Sequence, residues 1–281
     1  MTTFETTSRT SKAGDLTLHY NEAGDGECVI MLHGGGPGAS GWSNFKQNLP
    51  VFAEHYRTLL IDQPGYGKSD KPKHSMTQVE IGATAVRDLL DTLGIEKASL
   101  IGNSMGGATS LKFALEYPDR LDRLILMAPG GGAVNIFAPE PSEGMKVLIN
   151  YYAPPGPSLE KTQALIASMM YDSSGASPEL LQERFDAAQD PEAMAYTVNM
   201  FSQLGGASPM EELWMRIHEI THRTLLIWGR DDRVLPLEGA LFMLKRMQDA
   251  RLLVFSKCGH WAQLEKQDEF DRAAIDFLSA N

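Results

Sequence analysis

The sequence predicts an α/β fold with a mostly parallel sheet flanked by helices, and three observations lead there. Short apolar, strand-like runs alternate with helix-like segments through the first half of the chain and again near its end. That alternation folds as parallel strands joined by crossover helices. Gly102-Asn103-Ser104-Met105-Gly106 places a serine where a strand should turn sharply into a helix. An acidic loop and then a histidine loop follow, each behind an apolar run.

The elements read in order as follows. Leu16-Thr17-Leu18-His19-Tyr20 alternates as an exposed early strand, and Gly24-Asp25-Gly26 turns it towards a strand at Cys28-Val29-Ile30-Met31-Leu32. Residues 56–61 form another strand, ending at Asp62-Gln63-Pro64-Gly65-Tyr66-Gly67. Residues 78–93 are helical, with Ile81, Ala85, Leu89 and Leu93 at four-residue steps. Ala98-Ser99-Leu100-Ile101 is the strand before the serine, and residues 108–115 are a helix packing through small side chains. Leu124-Ile125-Leu126-Met127 is the next strand, closed by Ala128-Pro129-Gly130-Gly131-Gly132. The sheet pattern then stops for about ninety residues, which read as helices broken at Pro154-Pro155-Gly156-Pro157 and Gly205-Gly206. Strands resume at Thr224. The expected organisation is a core of residues 1–133 and 223–281 with a helical lid, residues 134–222, over the carboxyl ends of the strands. Seven of the 14 methionines fall in that excursion (Met145, Met169, Met170, Met194, Met200, Met210, Met215). Two readings stand for them: an adaptable apolar pocket, or ordinary helix core.

G-x-S-x-G between a strand and a helix is the nucleophile elbow. Gly102 and Gly106 are required because the turn brings backbone too close for side chains, and the serine itself is strained. Ser104 Oγ is thereby exposed at a strand's carboxyl end, with the Met105 amide at the helix start available to an oxyanion. Leu225-Leu226-Ile227-Trp228 leads to Gly229-Arg230-Asp231-Asp232, and Leu252-Leu253-Val254-Phe255 leads to Cys258-Gly259-His260-Trp261. Serine, then acid, then histidine is the order of the α/β-hydrolase fold. His260 would take the serine proton, and a buried carboxylate would fix its tautomer. That carboxylate is assigned to Asp232 on the Gly229-x-x-Asp232 spacing, with Asp231 as its solvated or Arg-paired neighbour. His33-Gly34-Gly35-Gly36-Pro37-Gly38 follows an early strand and would supply the second oxyanion amide, assigned to Gly35, with Gly36 beside the substrate. The competing readings are a flexible loop or a phosphate cradle, and the absence of Gly-Lys-Ser/Thr argues against the latter. His33 is expected to brace the loop, while His19, His55, His74, His218 and His222 read as surface or packing residues.

A formal charge of −11 without a basic run argues against nucleic acid as a partner. No apolar run approaches a membrane span, and the first residues have no signal-peptide layout, so a cytoplasmic protein is expected. Cys28 and Cys258 make no disulfide framework, and no Cys/His cluster has metal-ligand spacing. No metal or organic cofactor is expected.

His33 to Asn44 (HGGGPGASGWSN), Gly102 to Gly107 (GNSMGG), Trp228 to Pro236 (WGRDDRVLP) and Phe255 to Gln263 (FSKCGHWAQ) resemble the meta-cleavage product hydrolases over essentially the whole chain. The resemblance implies hydrolysis of a C–C bond in a 2-hydroxy-6-oxo-hexa-2,4-dienoate from aromatic catabolism, giving a 2-hydroxypenta-2,4-dienoate and a carboxylic acid. It implies a substrate site lined by Gly35, Gly36, Asn44, Asn103, Ser174, Arg184 and Trp261, in a homo-oligomer. Arg184 suits an anionic substrate by two-point contact with its carboxylate, and the asparagines suit its oxygens. From the residues alone, Arg184 reads first as a solvated helix charge, a reading the resemblance reverses, while Asn103 could equally brace the elbow and Trp261 be a core aromatic. Two other classes share the motifs: a serine esterase or iminopeptidase-like hydrolase, and a ligand-binding receptor built on the same fold. The 6-substituent of the substrate is open at this stage, as is the choice between a covalent serine intermediate and an activated water.

Overall fold

The structure, a computed structural model, describes residues 2–73, 76–134, 141–203 and 213–280. A short helix α1 (Phe4–Thr7) precedes a hairpin of β1 (Ser8–Ala13) and β2 (Leu16–Ala23). β3 (Cys28–Leu32) runs through α2 (Gly41–Phe45) and α3 (Leu49–Phe52) to β4 (Arg57–Ile61). α4 (Gln78–Leu93), β5 (Ala98–Asn103), α5 (Met105–Glu116) and β6 (Leu121–Met127) follow. Between β6 and the next strand lie α6 (Glu143–Asn150), α7 (Leu159–Met169), α8 (Pro178–Ala188), α9 (Pro191–Gln203) and α10 (Leu213–Arg216). β7 (Thr224–Gly229), α11 (Glu238–Arg246), β8 (Ala250–Phe255), α12 (Ala262–Glu265) and α13 (Gln267–Ser279) complete the chain.

The eight strands form one sheet in the order β1-β2-β4-β3-β5-β6-β7-β8. β1 and β2 are antiparallel and the other six run parallel. The chain passes from β3 to β4 on one side and returns to β5 on the other. The direction of winding therefore reverses between β3 and β5, where a ligand crevice opens at the carboxyl edge of such sheets. Period-two alternation sends Ile30, Leu100, Leu126 and Leu226 into the core under α4, α5 and α11. It sends Met31, Ile101, Ile125 and Ile227 into the core under α2, α3, α12 and α13.

α4 starts at a capping box of Thr77 and Glu80 and stops at Gly94, whose φ of 65° favours glycine. The sequence places this helix and β3 at their observed bounds. β2 departs from expectation. Read as exposed, it has four consecutive buried residues, because β1 takes the sheet edge instead. Ser-Arg-Thr-Ser-Lys-Ala carries no apolar alternation, so β1 left no strand signal. His74, Met210 and Gly205-Gly206 lie outside the described residues.

Candidate active site

Ser104 sits between β5 and α5 at φ 54° and ψ −113°, a strained conformation for any residue but glycine. Its N–H donates to Met127 O (2.9 Å), and its carbonyl accepts from Gly130 N–H (2.9 Å) and Ala108 N–H (3.0 Å). Those bonds over-determine the strain. The flanking glycines have a steric reason: a Cβ on Gly102 would meet Ser110 Oγ at 2.5 Å, and one on Gly106 would strike Leu32 O. Met105 opens α5, so its N–H has no carbonyl one turn back within the helix.

His260 lies on the loop between β8 and α12 and is buried. Its Nδ1 donates to Asp232 Oδ2 at 2.7 Å, which leaves Nε2 as the acceptor. Asp232 Oδ1 accepts from the N–H groups of Val234 (2.7 Å) and Leu235 (3.0 Å), so the carboxylate cannot turn away. Asp231 takes no part. It accepts from Lys257 N–H and lies 3.4 Å from Arg230. Cys258, next along this loop, is buried and its thiol is pushed upward by that burial, which leaves no thiolate to compete with the serine.

Ser104 and His260 border a cavity of about 1020 Å³ together with Gly34, Gly35, Gly36, Asn44, Asn103, Met105, Arg184 and Trp261. Arg184 reaches it from α8 and is 3 % exposed. Its Nη2 donates to Asn44 Oδ1 at 2.5 Å, and its guanidinium lies 5.0 Å from the Trp261 ring centroid. Among the described residues its Nε has no hydrogen-bond partner and no carboxylate pairs with it. Glu183, the adjacent acid, is engaged by Lys46 at 2.6 Å. Burial pushes the Arg184 pKa down to about 10, so the group is still a cation at neutral pH. The solvated-helix reading of Arg184 therefore fails.

Asn103 Nδ2 donates to His260 O and Met127 O, both at 3.3 Å, bracing the histidine loop, while its Oδ1 is buried without a partner among the described residues. Gly34 comes close, since a Cβ there would lie 3.4 Å from Ser104 Cβ. Ser174 is not brought to the site. It is exposed on a single turn capped by Asp172 Oδ1, and it does not border the cavity. The helical insertion folds that turn outward.

The rest of the cavity wall is apolar. Met145, Met169, Met200 and Met215 line it, so four of the seven methionines of residues 134–222 serve the pocket. Met169 and Met170 also pack in the core of the insertion, so the two readings of these residues overlap. Sequence reasoning missed Tyr66, whose Oη donates to Gly35 O at 3.0 Å. Its only local signal was a glycine-rich turn at the carboxyl end of β4.

A second Ser/His/Asp set occurs at Ser8, His19 and Asp62. His19 Nδ1 donates to Asp62 Oδ2 (2.8 Å) and Nε2 accepts from Ser8 Oγ (2.8 Å). Phe4 stacks on the imidazole, and Asp62 also holds the first amide of α2, Gly41 N–H, at 2.8 Å. This set anchors the N-terminal hairpin and α2. Among the described residues no group of His, Cys, Asp and Glu is placed to hold a metal ion, and no helix is long and apolar enough to cross a membrane.

A family model described as the α/β-hydrolase fold matches residues 28–267. The chain is 50% identical to a 2-hydroxy-6-oxo-6-phenylhexa-2,4-dienoate hydrolase of Comamonas testosteroni, over 94% of this chain and 92% of that protein. It is 45% identical to a 2-hydroxy-6-oxononadienedioate/2-hydroxy-6-oxononatrienedioate hydrolase of the same species, with the same coverage. The solved 2-hydroxy-6-oxo-6-phenylhexa-2,4-dienoate hydrolase of Rhodococcus sp. strain RHA1 superposes with a TM-score of 0.89 at 32% identity, covering 97% of this chain and 98% of that one. The chain thus belongs to the α/β-hydrolase family and, within it, to the meta-cleavage product hydrolases.

Proposed function

We propose that this protein hydrolyses the C5–C6 bond of a 2-hydroxy-6-oxo-hexa-2,4-dienoate, giving a 2-hydroxypenta-2,4-dienoate and a carboxylic acid. One observation supports the reading most: a buried arginine with no carboxylate partner among the described residues faces the same cavity as the serine and histidine. A buried cation left uncompensated by the fold is costly unless a ligand anion completes it. An ester of neutral acid and alcohol has no use for it, whereas the dienoate carboxylate does.

The chemistry needs an electron sink. Moving the 2-hydroxyl proton to C5 converts the dienol to the 2-oxo tautomer, and His260 Nε2 is the proton carrier. Addition at the 6-oxo carbon then forms an oxyanion, received by the N–H groups of Gly35 and Met105. Fission of C5–C6 sends the electron pair through the C3–C4 double bond onto the 2-oxo oxygen. Ser104 is the covalent nucleophile in the preferred route: its proton passes through His260 to the departing dienolate. A water deprotonated by His260 then hydrolyses the acyl-serine to the carboxylic acid; direct attack by a water activated by the same two groups is the alternative. Asp232 keeps His260 in the tautomer that accepts at Nε2. Arg184 and Asn44 hold the carboxylate end, Asn103 and Trp261 flank the reacting carbon, and Gly36 lets the ligand approach the backbone. Residues 134–222 act as the lid that excludes water. A cytoplasmic homo-oligomer is the setting the family resemblance implies.

Stopped-flow absorbance on Ser104→Ala and His260→Ala, with product quantified separately, tests this. Ser104→Ala should bind the coloured dienolate and change its spectrum while releasing almost no carboxylic acid. His260→Ala should also slow the early spectral change. Turnover of p-nitrophenyl esters far above that of any dienoate would favour the esterase reading.

A further inference from the structure

The oxyanion donor assigned to Gly35 belongs to a peptide group whose other end is held by a side chain with no part in the mechanism so far. Gly35 N–H and Gly34 C=O are opposite ends of one planar unit. Gly34 O lies 2.8 Å from His33 Nδ1. The imidazole has no freedom of tautomer, because its Nε2 accepts from Gln63 N–H at 3.0 Å. Nδ1 must then carry the proton and donate it to Gly34 O. Gln63 Nε2 returns to His33 O at 2.6 Å, and Thr109 Oγ1 of α5 donates to Gln63 Oε1 at 2.8 Å. The ring is fully buried, and Tyr66 packs edge-on against it with centroids 5.2 Å apart.

We propose that His33 is a positioning residue for the oxyanion site: its Nδ1–H fixes and polarises the Gly34–Gly35 peptide so that Gly35 N–H points at the developing charge before substrate arrives. This rests on the function proposed above. Two physical effects combine. A donor on the carbonyl end withdraws charge and strengthens the N–H at the other end, as in any chain of hydrogen bonds. A glycine peptide with no side chain to restrain it would otherwise reorient, and oxyanion stabilisation is effective only when the donor is already aimed. Burial holds the His33 pKa down to about 4, so the ring stays neutral through the working range and its donor pattern does not change with pH. Tyr66 Oη, on Gly35 O, holds the next peptide in the same way.

The test separates oxyanion stabilisation from packing. His33→Leu should slow C–C fission by about 10–100-fold, while the early tautomerisation spectrum and the dienoate Kd measured in a Ser104→Ala background stay within twofold. Affinity for benzeneboronic acid, whose adduct with Ser104 places an oxygen in the oxyanion site, should fall in parallel with the fission rate. His33→Asn carries an amide N–H to the Nδ1 position and should recover most of the loss. His33→Gln reaches the Nε2 position instead and should recover about tenfold less, a comparison that holds even if the leucine variant does not fold. Equal losses in dienoate and boronate binding, or asparagine and glutamine variants of equal rate, would make His33 a packing residue. If the parent enzyme leaves every dienoate intact yet hydrolyses esters, the proposed function falls. The boronate and ester rates then still decide the role of His33.

Discussion

The two ends of the active-site cavity are built in opposite ways. At one end, where α2 and α12 meet beside β3, the polar groups are individually tied. Asn44 is bonded to Arg184, Asn103 to the His260 carbonyl, and His260 to Asp232. At the other end, beyond Ser104 over β6 and β7, Ala133, Met145, Trp214, Met215 and Leu235 present apolar surface held by packing. Trp214 leans on Phe242 of α11 and Leu235 on the core beneath it. Arg184 is the one permanently charged side chain among the described residues that line the cavity. The chain from Leu124 to Met145 and from Phe185 to Met215 contains no Lys, Arg or His at all. Chemistry demands groups aimed to fractions of an ångström, which hydrogen bonds supply; fitting a substituent demands only volume and low polarity, which flexible methionines supply.

Breaking the tied end should have the largest effect. Asp232→Asn leaves the packing intact but selects the wrong histidine tautomer, and turnover should fall by roughly 10⁴-fold. Asp231→Asn should be mild, and steady-state kinetics on both variants would expose a misassignment if that ranking reversed. Arg184→Gln comes next. Dienoate binding should weaken by about 1.5–3 kcal/mol, the range for hydrogen bonds to a charged group, with little change towards a neutral ester. Because it also removes a buried cation that pairs with no carboxylate among the described residues, the same variant should melt at a higher temperature than the parent. Equal losses on both substrates, or a lower melting temperature, would make Arg184 a structural residue.

The packed end should discriminate by charge. A 6-phenyl dienoate should be preferred by about tenfold or more in kcat/KM over the nonadienedioate. The second carboxylate of the latter would meet no cation, and an uncompensated polar group costs about 1–3 kcal/mol. Met145→Lys should narrow that ratio and Met145→Leu should preserve it; equal rates on both substrates in the parent would remove the contrast between the ends.

The smallest effect concerns the support of the tied end. Asp271 on α13 is buried and accepts from Asn48 Nδ2 at 2.6 Å, and burial raises its pKa to about 6. The folded state then holds a proton that the unfolded chain releases near pH 4. Stability is lost as pH rises from about 4 to about 6 and stays lost above it. Asp271→Asn should flatten that slope and stabilise the protein at pH 7 by about 1–2 kcal/mol. Urea denaturation between pH 4 and pH 7 measures both quantities, and parallel curves for the two proteins would contradict the assignment.

Much of this architecture was legible because its signals are local. Short apolar runs marked β3 to β8, four-residue steps marked α4, and the glycines around Ser104 marked the elbow. Asp232 could be chosen over Asp231 from the distance to Gly229 alone. β1 was not legible, because an edge strand facing solvent needs no apolar residue. Nor was the tie of Tyr66 to Gly35, which joins residues on the loops after two different strands.

By itself the sequence determined the parallel strands of the sheet, the turn that exposes Ser104 and the order of serine, acid and histidine, since apolar runs and turn chemistry act over a few residues. Only the tertiary structure decided that Arg184 is buried on Asn44, 140 residues away, that Ser174 faces outward, and which tautomer His33 adopts. Burial and hydrogen-bond partnership belong to pairs of groups that meet only when distant segments pack, and no local pattern encodes them.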